Sequence, residues 1–108
     1  MELTPTLQML RDATLRISKS SEEIFYLSKE KAITEREYRI ALSKEMIMLR
    51  ADKMPATLIN DIARGNVADL KFKRDLALER HRAALAAMES LRVEINALQT
   101  IARYQSDI

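Results

Sequence analysis

The chain has 108 residues, of which 47% are hydrophobic and 31% charged, with one Gly, two Pro, no Cys and no Trp. Globular proteins contain roughly 7% Gly and 5% Pro, so the residues that β-turns need are nearly missing while good helix formers dominate. This composition predicts one all-α domain over residues 1–108. The lack of Cys excludes disulfides, thiolate metal sites and a Cys nucleophile.

The formal net charge is only +2, and no segment is strongly basic, which argues against a dedicated nucleic-acid binder. No stretch approaches the ~20 apolar residues of a membrane span. The first residues lack the basic and apolar regions of a signal peptide. We therefore expect a soluble, cytoplasmic protein that does not bind membranes.

The first predicted helix covers residues 5–51. Thr4 can cap its free N–H groups, and Pro5 suits the first helical position. Apolar residues recur along it at mostly three- and four-residue steps. Two capping-box patterns, which begin at Ser20 and Thr34, would allow a break. Since no Gly or Pro interrupts the stretch, the pattern favours one continuous helix.

A short predicted helix at residues 55–64 lies in the connection, opened by Pro55 and closed by Gly65. We expect Gly65 to take a positive φ angle just after this helix. Asn66 would then cap the next one. Leu58 and Ile62 should pack the short helix back onto the end of the hairpin.

The second long helix is predicted at residues 67–104. Its apolar stripe alternates steps of three and four residues over about five heptads, as a coiled-coil seam requires. The stripe is duplicated at residues 77 and 78, 84 and 85, and 101 and 102, so it is wider than one partner helix needs. The sequence thus predicts a long antiparallel helical hairpin that assembles into a bundle as a homo-oligomer, with a seam that includes Met88, Leu91, Ile95 and Leu98.

The sequence contains few of the residue patterns that catalysis requires. It has one His, no Gly-rich loop and no Glu-x-x-His pattern, so we expect no enzyme activity, no cofactor and no metal. His81 lies between Arg80 and Arg82, and a His on the edge of a helix seam is the simpler interpretation.

Nucleic acid is the alternative partner. The short helix, the turn at Gly65 and the start of the next helix have the outline of a helix-turn-helix. The basic residues of that end could contact phosphates, namely Arg64, Lys71, Lys73 and Arg74. Four Asp residues share the same end and nearly cancel this charge.

The connection over residues 50–70, together with residues 97–106, resembles small helical proteins encoded by phages and prophages of Gram-positive bacteria. The resemblance covers roughly residues 30–105 and carries no catalytic motif. It implies an accessory role in phage DNA replication or recombination. Secreted hairpins of type VII secretion share the architecture, but the chain lacks their Trp-x-Gly turn because it has no Trp.

The functional hypothesis is a non-catalytic coiled-coil interaction or scaffold protein that acts through helix–helix contacts with itself and with another protein.

Overall fold

The computed structural model describes residues 4–106, which form three α-helices in the order α1 (Pro5–Ala51), α2 (Ala56–Asn66) and α3 (Ala68–Ser106). No strand occurs within this range. The all-α helical hairpin with a short helix in its connection is therefore confirmed. No helix in the described range is long and apolar enough to cross a bilayer.

The start of α1 is capped as predicted. The backbone N–H of Leu7 donates to Oγ1 of Thr4 at 3.2 Å, and Pro5 occupies the first helical position. From there α1 continues for 47 residues without a break, so the continuous interpretation is confirmed. Thr34 caps nothing, because its hydroxyl donates to the carbonyl oxygens of Glu30 and Lys31 in the preceding turn. These bonds satisfy a polar side chain that is buried.

The end of α1 is a Schellman motif. The N–H of Lys53 donates to the carbonyl of Arg50, and the N–H of Met54 donates to that of Leu49, both at 3.0 Å. Lys53 takes the left-handed conformation that this motif needs, with φ 60°. Pro55 follows and cannot continue the helix.

The prediction for Gly65 is wrong. Gly65 lies inside α2, and no described Gly has a positive φ. The helix continues one residue further, and Val67 then ends α2 and starts α3. Its N–H donates to the Ala63 carbonyl, and its own carbonyl accepts from Leu70 and Lys71. Because a backbone carbonyl starts α3, Asn66 is not the predicted cap, and its side chain donates to Oε2 of Glu45 at 3.0 Å.

Contacts within the chain cluster into two units. The described part of unit 1 combines residues 4–26 of α1 with residues 82–106 of α3. The two segments are antiparallel, since Arg16 pairs with Glu94 at 3.5 Å while Leu10 lies beside Gln99 and Ala102. The buried side chains of this unit are Thr6, Ala13, Leu91 and Leu98.

Unit 2 covers residues 27–81 and contains the rest of α1, all of α2 and the start of α3. Its buried side chains come from all three helices and the residue between α2 and α3, namely Leu27, Thr34, Tyr38, Ile59, Ala63, Val67 and Ala77. Within α2, Ile59 and Ala63 are buried, Ile62 is half-buried, and Leu58 is 47% exposed. The prediction that Leu58 packs back onto the hairpin is therefore wrong, because the adjacent Ile59 occupies the inward face.

Gly65 and Lys53 each have a backbone conformation that their residue type disfavours, and both positions lead to a prediction about stability. Gly65→Ala should raise the free energy of unfolding by about 0.5–1 kcal/mol, because Ala favours the helix and a Cβ at this position meets nothing within 4 Å. Lys53→Gly should also stabilise, because a left-handed conformation costs an L-residue roughly 1 kcal/mol. Urea unfolding would measure both changes. Lys53→Ala is the control and should bring no gain, and a loss of stability in Gly65→Ala would contradict the assignment.

Two neighbouring residues of α2 provide a matched pair of substitutions, one at a buried position and one at an exposed position. Ile59→Ala should lower the free energy of unfolding by about 2–4 kcal/mol, because it opens a cavity at a buried position. Leu58→Ala removes as many atoms from an exposed position and should cost well under 1 kcal/mol. Thermal denaturation of both variants checks this, and equal losses would show that α2 does not dock through Ile59.

Candidate interaction surface

The seam between α1 and α3 is the main apolar feature of unit 1, and it contains the four residues predicted for an oligomer. Leu91 and Leu98 are buried, and Met88 and Ile95 are half-buried. Leu91 and Leu98 are thus already covered inside a single chain. The participation of the four residues in an intermolecular seam stays a prediction. Because the chain itself already covers much of their surface, they have less apolar area left to bury against a second molecule.

The duplicated positions of the α3 stripe divide between the inside and the outside. Ala84 and Ala102 are half-buried, whereas their neighbours Leu85 and Ile101 are 46% and 47% exposed. The smaller residue of each pair faces the seam in unit 1, and the larger one faces solvent. The third pair differs, since in unit 2 Ala77 is buried and Leu78 is half-buried.

In unit 2 the seam includes a cluster of charges around Arg74. The guanidinium carbon of Arg74 lies 4.4 Å from the centre of the Tyr38 ring, a cation–π distance. Nη2 of Arg74 donates to Oδ1 of Asp75 at 3.0 Å, and its Nε lies 3.6 Å from Oε2 of Glu35. The other oxygen of Glu35 accepts from Arg39 at 2.6 Å. The cluster thus joins α1 to α3 in unit 2 through alternating charges.

The hydrogen bond from Arg74 to Asp75 raises the pKa of the guanidinium above its ordinary value, and the nearby carboxylate of Glu35 acts in the same direction. An arginine side chain is charged throughout the physiological pH range, and both carboxylates favour this charged form. The role of Arg74 is to hold two helices together while its side chain remains 26% exposed.

The same cluster borders an open groove of unit 2. The groove has a volume of about 410 Å³ and lies between α1 and α3. Ala32 and Leu78 form its apolar wall, and Lys31, Glu35 and Arg74 bring charges of both signs to it.

The four cations predicted to contact nucleic acid differ in exposure and direction, and their contact with nucleic acid stays a prediction. Arg64, Lys71 and Lys73 are exposed, but Arg74 is engaged with Asp75 and Glu35. Lys71 and Lys73 point about 200° apart, because they are two residues apart on a helix. Lys73 lines one groove of unit 2 and Arg74 another.

Ligands for metal ions are dispersed in residues 4–106, where no three His, Asp or Glu side chains gather closely enough to hold an ion. His81 is half-buried at the end of unit 2.

The fold and its surfaces define a class of protein, the all-α helical hairpin. The chain matches no protein-family model, no curated protein and no solved structure.

The Arg74 cluster leads to a third prediction. Arg74→Ala should lower the free energy of unfolding by roughly 1–2 kcal/mol, because it removes the cation–π contact and leaves Glu35 without one of its two cations. Arg80→Ala is the control, since Arg80 is exposed on the same helix, and it should change stability by less than about 0.5 kcal/mol. Chemical denaturation compares them. Equal effects of the two changes would show that the cluster contributes no stability.

Proposed function

We propose that this protein is a non-catalytic interaction or scaffold protein, which assembles with itself and with another protein through helix–helix contacts. The observation that supports this best is the amount of surface that the folded chain leaves exposed. Its accessible surface is 8410 Å² for a mass of 12.4 kDa. A compact monomer of this mass exposes about 6100 Å², and even two separate compact halves would expose about 7400 Å².

The exposed surface contains many large hydrophobic side chains. Fifteen of them in the described residues are between 39% and 75% exposed, and no large side chain there is fully buried. Single exposed leucines are ordinary in soluble proteins. Here, however, they accompany an excess of surface, and the described part of unit 1 contains no further helix to cover the outward sides of its two segments. Further helices from another molecule would supply this cover.

A protein partner is favoured over nucleic acid by the arrangement of charge. The cations near the connection are dispersed around α3, and one of them is paired within the chain. Association of helices requires only apolar stripes flanked by complementary charges, which both long helices carry. The resemblance to phage helical proteins extends the proposal to an accessory role in phage DNA replication or recombination, where the direct contact would be to a protein.

Sedimentation equilibrium of the full chain tests the homo-oligomer. Between about 1 and 200 µM the average mass should rise above 12.4 kDa towards a multiple of it, because association follows mass action. The chain must stay helical by circular dichroism over the same range, which separates assembly from aggregation of unfolded protein. A constant monomer mass would overturn self-association.

A further inference from the structure

The outward side of α1 in unit 2 carries three isoleucines at seven-residue intervals. Ile33 is half-buried, and Ile40 and Ile47 are 50% and 65% exposed. They lie roughly 180–220° around the helix from Tyr38, which is buried. The three residues therefore form a stripe on the side of α1 that faces away from the intrachain seam.

A coiled-coil seam has two apolar positions in each heptad. The isoleucines supply one of them, and the other is occupied by Arg36 and Ser43. Packing inside unit 2 does not require this pattern, because other residues of α1 supply the intrachain seam. An outward stripe of this regularity is half of a second seam, without a partner among the described residues.

Two charges on one flank of the stripe limit what the partner can be. Glu37 and Lys44 are exposed, are also seven residues apart, and lie about 40–60° from the isoleucines around the helix. The flank therefore carries one negative and one positive group, placed on either side of Ile40. An antiparallel copy of this flank presents the opposite order of charges.

We propose that this face of α1, defined by Ile33, Ile40 and Ile47 with Glu37 and Lys44, binds the same face of a second copy of the chain in antiparallel orientation. The proposal rests on the self-association argued above and names its surface. A two-fold axis near residue 40 brings Ile40 against Ile40 of the second copy and Ile33 against its Ile47. The same axis sets Glu37 opposite Lys44 of the second copy, twice per dimer.

The parallel arrangement lacks this complementarity. In a parallel pair in register, the flank that carries Glu37 and Lys44 faces the opposite flank of the second copy, so these two side chains do not meet each other across the contact. Opposite charges beside a helix seam select partner and orientation. The charges on α1 therefore select the antiparallel dimer.

The contact is short, which sets its strength. From Ile33 to Ile47 the helix advances about 21 Å, and such a contact buries less than the roughly 1,200–2,000 Å² of a stable interface. We expect a dissociation constant in the micromolar range.

Sedimentation equilibrium of four variants tests the face. Ile40→Asp should raise the dissociation constant of the wild-type dimer at least roughly tenfold, because it places two carboxylates at the axis without partners. Val93→Asp makes the same kind of change at a 62% exposed position of α3 in unit 1 and should leave the constant unchanged. Glu37→Lys and Lys44→Glu should each weaken the dimer by about three- to tenfold, since each creates like charges across the contact.

Mixing the two charge variants provides the decisive measurement. An equimolar mixture of Glu37→Lys and Lys44→Glu should restore dimers to the wild-type level, because each copy then offers the charge that the other needs. The substituted positions are exposed, and unchanged thermal melting of each variant checks that the fold is retained.

Three results would overturn the proposal. If the wild-type chain is monomeric throughout, the proposed self-association fails together with it. If the wild type assembles and Ile40→Asp behaves like Val93→Asp, self-association stands and this face is not the interface. If Ile40→Asp dissociates the dimer but the charge variants do not weaken it and regain nothing on mixing, the antiparallel register is wrong.

Discussion

Contact between two helices covers only one side of each, and this constraint governs the rest of the structure. A side chain in a two-helix seam touches the facing helix but keeps one edge in solvent, so most seam residues are half-buried. The completely buried positions are occupied by the smallest apolar side chain, at Ala13 in unit 1 and Ala63 in unit 2, each with 0% exposure. Small residues allow two backbones to approach closely, and larger side chains then pack around the point of approach.

The third helix modifies this constraint in unit 2. By placing Ile59 and Ala63 against the long helices, α2 supplies cover that the α1–α3 pair of unit 1 lacks. Polar contacts hold the same region, because Asn66 at the end of α2 reaches Glu45 on α1. The seam of unit 2 also tolerates a charge, because Arg74 lies over the face of Tyr38 and keeps its guanidinium beside two carboxylates. The long side chain packs along apolar surface while its charged end stays partly hydrated.

The surface left outside these seams connects the fold with the proposed function. Compact proteins of this size remove most apolar side chains from water with three or more packed elements. Here the outward sides of α1 and α3 keep exposed residues such as Ile47 and Leu85. Burial of such residues in an intermolecular contact would add the hydrophobic stabilisation that the chain cannot obtain alone. The structure and the interaction would then depend on one physical effect, which acts first within the chain and next between chains.

The sequence by itself determined the helices, because composition and apolar periodicity are local properties. Thr4 and Pro5 marked the start of α1, Pro55 marked its end, and the stripe containing Leu91 and Leu98 identified the inward side of α3. It also indicated that the chain has more apolar surface than a hairpin can cover. These features follow from backbone geometry and from the 3.6-residue repeat of the helix.

Only the tertiary structure decided which residue takes the left-handed conformation, which apolar residues face inward and which side chains contact each other. The left-handed residue is Lys53 and not Gly65, because the Schellman hydrogen bonds at the end of α1 hold Lys53 in place while Gly65 continues a helix. The sequence could not show whether Ala84 or Leu85 faces the seam, since the position of the facing helix decides which of two neighbouring apolar residues is covered. It could not place Arg74 within the chain either, because Tyr38 and Glu35 come from a helix more than thirty residues away. Long-range packing therefore determined which apolar surfaces were buried inside the chain and which remained exposed.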